Sequence, residues 1–234
     1  MDGFACALVY EDGQFVQAIT RGDGFVGEDV TANVRTLESV PLKLRNFTDG
    51  EKFLKGRTEI RGEIVMYKQE FERLNAQRAK AGQPLFANPR NTAAGTVRQL
   101  DPKLVASRPL KFHAYDLRRE APGDVPTHSY AYQVLRKLGF LANTEATVVD
   151  SISNVKAFAD KWEEKRKALP FNTDGLVVKV NDRAVYERLG VVGKAPRAAV
   201  AFKYPAEQST TKVKDIFVSI GRTGAATPVA MLDP

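Results

Sequence analysis

Cysteine is nearly absent from this chain. Among its 234 residues only Cys6 carries a thiol, and it sits inside an apolar run. A lone thiol excludes an internal disulfide and a multi-cysteine zinc site, and it fits a reducing compartment. No apolar run approaches the roughly eighteen residues that a membrane span needs, and no signal-peptide pattern opens the chain. A soluble, cytoplasmic protein with no membrane partner is therefore expected. Internal repeats and low-complexity segments are missing too. What remains is 43% hydrophobic and 9% aromatic, enough for the core of one large domain or two modest ones. The formal net charge of +7 suits a polyanionic partner, although lysines scattered over a solvated face would give the same total.

Local patterning starts abruptly. Met1-Asp-Gly3 enters a strand at once, as a segment cut from a longer chain would. Residues 4–10 and 15–19 are apolar and joined by Glu11-Asp-Gly-Gln14, which predicts a hairpin turning at Asp-Gly. The loop Thr20-Arg-Gly-Asp-Gly24 precedes residues 27–36, expected to form a short helix with acids in its first turn. A glycine loop ahead of a helix can cradle phosphate, and more often is only a turn. Residues 58–66 alternate as a strand, with Ile60, Gly62 and Ile64 on one side and Arg61, Glu63 and Val65 on the other. Glu63 beside Val65 requires a cation, a hydroxyl or a metal, because an unpaired buried charge is too unfavourable. Residues 67–80 then read as an amphipathic helix stopped near Gly82.

Asn88 as a cap and Pro89 at the first position open a helix predicted to run to about Leu100. At about 100° per residue Arg90 and Arg98 lie about 80° apart around its axis and can reach one site. Ala93-Ala-Gly95 between them lets a backbone or a ligand approach closely, or forms a small-residue packing face. Residues 111–117 predict a strand with His113 in the core or at its rim, residues 130–138 a helix ended by Gly139, and residues 147–150 a short strand. A helix over 153–169 puts Val155, Phe158, Trp162 and Leu169 on an inward stripe. Arg166 falls on that stripe, where it needs an anion or a structural ion pair.

That helix delivers Leu169-Pro-Phe-Asn-Thr-Asp-Gly-Leu-Val-Val-Lys-Val180, the stretch around which the chain is organised. Period-two geometry places Val177 and Lys179 on one face of its strand, and the Asp174-Gly175 turn brings a carboxylate and backbone N–H groups to the strand's mouth. A helix over 183–189 and a strand over 198–204 follow, with Lys203 opposite Phe202 and Tyr204. From Thr210 the texture turns β-branched, with Gly221-Arg-Thr-Gly224 between apolar runs, so residues 1–205 and 206–234 are expected to be separate domains.

Taken in order, these motifs resemble the adenylation (nucleotidyltransferase) domain of bacterial NAD-dependent DNA ligases. Met1-Asp-Gly3 resembles the end of that family's Lys-x-Asp-Gly motif. Thr20-Arg-Gly-Asp-Gly24, Arg61-Gly-Glu63, Ala87-Asn-Pro-Arg-Asn91 through Asp101, Asp174-Gly175 through Lys179, and Ala201-Phe-Lys-Tyr-Pro205 fall in the family's order. Each is weak alone, and six in order is specific.

The resemblance implies an α/β (α+β) fold of antiparallel sheets enclosing a nucleotide cleft, the ATP-grasp-like fold of DNA ligases and mRNA capping enzymes, with an oligonucleotide-binding (OB) fold starting at the C-terminus. It implies transfer of AMP from NAD to a lysine, then to the 5′-phosphate of a nick in duplex DNA, before the 3′-hydroxyl displaces it. In that scheme Asp2 orients the nucleophile and Glu63 holds the ribose. Lys179 and Lys203 stabilise charge at the α-phosphate, and Arg98 and Arg166 steady the nucleotide. Gly3, Asp174, Gly175 and Val177 line the AMP site, while Arg21 and Arg90 meet DNA or phosphate. Magnesium is expected on the phosphates, with no metal held by side chains here and zinc only in a part of the parent protein outside this chain. The nucleophilic lysine of the motif would precede Met1, so the segment alone is expected to be inactive and monomeric. Two alternatives stay open: an ATP-dependent nucleotidyltransferase of the RNA ligase or capping type, and a non-catalytic nucleotide- or DNA-binding module.

Overall fold

The computed structural model describes residues 1–24, 26–193, 195–205, 210–221 and 223–233, so that Arg222 of the Gly221 motif lies outside the described residues. The chain opens with β1 (Phe4–Glu11) and β2 (Gln14–Thr20), paired antiparallel. Asp12 and Gly13 between them take positive φ values of 47° and 74°, as a tight hairpin with right-handed strand twist demands. Along the other edge of β1 runs β3 (Arg57–Met66), and along β3 runs β4 (Leu110–Arg119), both antiparallel. Helix α5 (His128–Leu138) then crosses back, so that β5 (Leu141–Ala142) joins β4 in parallel and completes the order β2-β1-β3-β4-β5. This parallel edge corrects the all-antiparallel expectation.

Strand alternation decides what each face of the sheet does. Cys6, Leu8 and Tyr10 of β1, Ile60 and Ile64 of β3, and Phe112, Ala114 and Leu117 of β4 form the core face. Val34 of α1 (Thr31–Val34), Ala93 and Val97 of α3 (Pro89–Val97), and Val134, Leu135 and Leu138 of α5 bury it. Gly139, at φ 106°, stops α5 in the left-handed conformation.

Several elements differ from the sequence pattern. The helix expected over 27–36 is a single turn, because Asp29 bridges to Ile19 and its carboxylate accepts the Thr31 N–H at 2.9 Å. The acids therefore stand ahead of α1. Helix α3 begins as expected, with Asn88 accepting the Asn91 N–H at 2.8 Å, but it ends at Val97. Asp101 and Pro102 restart the chain as α4 (Pro102–Ala106). Ala93 is fully buried, whereas a Cβ on Gly95 would meet nothing within 4 Å, so close approach is confined to Ala93. Residues 147–150 form no strand.

Helix α2 (Lys68–Lys80) follows β3, and α6 (Ile152–Lys165) passes into a tight 3-10 turn at Arg166–Ala168. Strand β6 (Gly175–Lys179), helix α7 (Arg183–Leu189), the short β7 (Val191–Val192) and β8 (Ala195–Pro196), and β9 (Ala199–Lys203) complete the first unit, with β6 paired to β9. Contacts divide the chain into Met1–Lys203 and Tyr204–Pro234. In the second unit β10 (Val213–Ile220) and β11 (Ala226–Leu232) form an antiparallel hairpin.

Two glycines test this packing in opposite directions. A Cβ on Gly62 would stand 2.4 Å from the Phe112 ring and 2.5 Å from the His113 carbonyl. Gly62→Ala is expected to lose about 1–3 kcal/mol, and Gly95→Ala to gain about 0.5–1 kcal/mol, read from urea unfolding midpoints.

Candidate functional site

The second face of the sheet carries the candidate site. It carries Glu59, Arg61 and Glu63 from β3, and His113 and Arg118 from β4, in cross-strand rows such as Ala5–Glu63–His113. Pairing on β4 jumps from Ala114, opposite Gly62, to Asp116, opposite Arg61. Tyr115 is thus the extra residue of a β-bulge, and the bulge turns Tyr115 and Asp116 to the same side. Over this face the Lys179 Nζ stands 5.7 Å from the Tyr115 ring centroid.

Residues 170–174 hold the covering ribbon against the sheet. The Asp2 N–H donates to the Asn172 carbonyl and the Lys68 N–H to the Pro170 carbonyl, both at 2.8 Å. The Phe171 ring packs 4.9 Å from His113, whose Nε2 shares a 3.0 Å hydrogen bond with the Tyr67 hydroxyl. In the β6–β9 ribbon Gly175 faces Lys203, Val177 faces Ala201 and Lys179 faces Ala199. Directly paired residues point the same way, so Lys179 and Lys203 share one ribbon face, about 13 Å apart along the strands. A Cβ on Gly175 would sit 2.2 Å from the Phe202 carbonyl oxygen, which makes glycine obligatory there. Lys203 donates to Asp174 at 2.9 Å, and that bond holds the Asp174 carboxyl below its usual range.

Desolvation governs the electrostatics. Burial pushes the Glu63 carboxyl up to about 7, although the Met1 amine, Arg90 and Arg21 pull the other way. Burial likewise brings His113 down to about 4, so its ring is neutral at pH 7, and lowers Lys179, against which Asp116 works. Cys6 lies on the core face with its thiol raised by burial to about 12, too high for a nucleophile.

The sequence-predicted residues therefore gather in part. Asp2 pairs with Arg90 at 3.2 Å, and Arg90 and Arg21 both act on Glu63. Gly3 packs where a Cβ would stand 2.6 Å from the Ile64 carbonyl oxygen. Asp174, Gly175, Val177, Lys179 and Lys203 belong to the ribbon and its mouth, with Val177 61% exposed on the face between the two lysines. Arg98 is the C-cap of α3, where its N–H still donates to the Ala94 carbonyl at 3.3 Å, so it keeps its place around the helix axis although the helix ends before Leu100. It pairs with Glu28 at 2.8 Å and stacks 4.9 Å from the Phe4 ring. Arg166 donates to the Thr173 carbonyl at 2.9 Å and so braces the 170–174 segment. Tyr115, Asp116 and Arg183 escaped the sequence reading. The one available signal was Tyr115-Asp116, an aromatic and an acid adjacent inside an otherwise alternating strand.

Glu63 yields a pH test. A carboxyl whose folded pKa is raised to about 7, from 4.5, stabilises the fold fully only below the unfolded value, and that contribution is lost as pH rises through 7. Glu63→Gln should match the parent in stability at pH 4, gain on it between pH 4.5 and 7, and stay about 3 kcal/mol ahead above pH 7 in chemical denaturation.

Comparison with known sequences supplies the family context. The family model described as NAD-dependent DNA ligase adenylation domain matches residues 1–207. The chain is 47% identical over 234 residues to a DNA ligase of Halothermothrix orenii and 48% identical over 235 aligned positions to one of Thermomicrobium roseum. A DNA ligase of Halorhodospira halophila is 49% identical over 234 residues. Each alignment takes in 100% of this chain, but it covers only 34%, 34% and 32% of the respective relatives. The chain thus spans about a third of the length of these ligases.

Proposed function

The chain belongs to the NAD-dependent DNA ligase adenylation-domain family, and on that footing we propose that its first unit is a nucleotidyltransferase fold whose cleft binds the AMP half of NAD. The hairpin that follows is, in this reading, the opening of an OB-fold. The observation that carries the proposal is the meeting of Lys179 with Tyr115 on the same sheet face as the half-buried Glu63.

Each group has a task that its surroundings suit. Glu63, ionised above about pH 7, accepts hydrogen bonds from ribose hydroxyls. Tyr115 provides an aromatic wall against which a base packs. Lys179 and Lys203 project from one ribbon face toward the α-phosphate, and Arg90 is shared between Asp2 and phosphate. Arg98, paired with Glu28, and Arg166, bonded to the Thr173 carbonyl, are the two further cations that the family resemblance assigns to the nucleotide. Phosphoryl transfer asks mainly for such clamps and for alignment. Among the described residues no group of three or more His, Cys, Asp or Glu side chains could hold a metal ion. Magnesium would take phosphate and water as ligands and supply further charge neutralisation. The attacking lysine of the family motif would enter the site just ahead of Met1, two residues before Asp2, whose carboxylate Arg90 holds. In the parent ligase the product is a sealed nick in duplex DNA.

The test separates binding from chemistry. A polypeptide of residues 1–234 should bind AMP weakly and, incubated with NAD and magnesium, keep its intact mass unchanged. Adding the motif lysine ahead of Met1 restores the motif but not efficient use of NAD. An AMP adduct on any lysine of residues 1–234 would contradict the assignment of Lys179 and Lys203 as charge stabilisers.

A further inference from the structure

Behind the ribbon lysine lies a buried ionic cluster that the adenylation reading leaves unexplained. Asp116 is 5% exposed, and both of its carboxylate oxygens are engaged: Oδ1 accepts from Arg183 Nη2, and Oδ2 accepts from Arg118 Nε at 3.0 Å. Arg183, 8% exposed, also donates from Nη1 to the Leu117 carbonyl at 2.7 Å, on the far side of the bulge that displays Tyr115. The chain between Lys179 and Arg183 is tied down residue by residue. The Val180 N–H donates to the Ala198 carbonyl at 2.9 Å, and the Asn181 carbonyl accepts the His128 N–H at 2.9 Å. Asp182 caps α7 through the Val185 N–H at 2.8 Å, and the Arg183 N–H donates to the Pro126 carbonyl at 3.0 Å.

We propose that Asp116 and Arg183 are positioning residues for Lys179: the carboxylate is the lysine's counter-ion, and the guanidinium fixes that carboxylate while tying the end of β6 to the bulge of β4. The proposal rests on the reading that Lys179 serves the phosphate site. Charge arithmetic supports it. Tyr115, Asp116 and Arg118 approach Lys179 from β4, Arg183 from α7, and His128 from α5. His128 is held neutral at pH 7 by burial. Four cations thus surround one carboxylate, since Arg61 also faces it from β3, with Glu59 on Arg61 at 2.7 Å and Glu187 on the outer side of Arg118 at 3.6 Å. Asp116 opposes the loss of proton affinity that burial imposes on Lys179, and the excess positive charge of the cluster favours an incoming phosphate.

The decisive measurement is the ionisation of Lys179 itself, followed by NMR of lysine side chains carbon-labelled at Cε in the chain of residues 1–234 and assigned with Lys179→Arg. Asp116→Asn should lower the proton affinity of Lys179 about tenfold or more. Arg183→Gln should raise it, and Arg183→Lys should leave it close to the parent. Loosened packing alone would hydrate Lys179 and raise its affinity in both neutral variants. An unchanged or higher affinity in Asp116→Asn therefore overturns the proposal. Should Asp116→Asn fail to fold, the double variant Asp116→Asn/Arg183→Gln, which leaves neither member of that pair charged, is compared with Arg183→Gln alone. The proposal requires a lower Lys179 affinity in the double variant, and an equal or higher one overturns it. None of these titrations uses a nucleotide, so failure of the parent chain to bind AMP would strike the phosphate-site reading and leave the ionisation result standing.

Discussion

One extra residue in β4 is the constraint on which the site depends. Regular pairing would send Tyr115 and Asp116 to opposite faces of the sheet. The register shift between Ala114 and Asp116 sends both to the face away from the core. Tyr115 then meets Lys179 from β6, and Asp116 meets Arg183 from α7. These contacts, with Phe171 on His113, join the β6–β9 ribbon to a sheet to which it is not hydrogen-bonded strand to strand. The ribbon needs that anchorage, because a two-stranded unit is marginal alone.

Burial works on the charged groups of this face in a common direction. It raises Glu63, and it lowers Lys179 and His113, in each case toward the neutral form. What opposes it is local pairing: Arg90 and Arg21 for Glu63, Asp116 for Lys179. Such a face gains by receiving a ligand that brings hydroxyls to a carboxylate and negative charge to lysines. Away from it, the strand and cap chemistry is ordinary, and the single thiol is sequestered in the core.

Much of this was legible in the sequence because it rests on local rules. The Asp12-Gly13 hairpin, the Asn88-Pro89 helix start, the Gly139 stop and the alternation of β3 each follow from backbone chemistry within a few residues. The unfavourable placing of Glu63 was also readable, since a carboxylate beside Val65 needs a cation, a hydroxyl or a metal; in the structure burial raises it to about 7 against the opposing charges of Arg90 and Arg21. What escaped needed long-range information. A bulge is decided between two strands, so neither Tyr115 nor Asp116 announced its facing. Arg183 opens a short surface-patterned helix, and only the tertiary fold turns it inward onto a strand 66 and 67 residues away along the chain. Helix α3 stopped short of Leu100 because Asp101-Pro102 starts a new helix, a competition that the periodicity of 89–100 does not show.

The central claim is that the sheet face bearing Glu63 and Tyr115 and the ribbon face bearing Lys179 and Lys203 form one nucleotide site. Backbone amide NMR of the labelled chain during titration with AMP tests it most directly. The account predicts saturable shifts at Glu63, Tyr115, Gly175, Lys179 and Lys203 that report a single dissociation constant. Shifts confined to the arginine-rich edge at Arg57, Arg118 and Arg119, or separate constants for the sheet and ribbon residues, would contradict it.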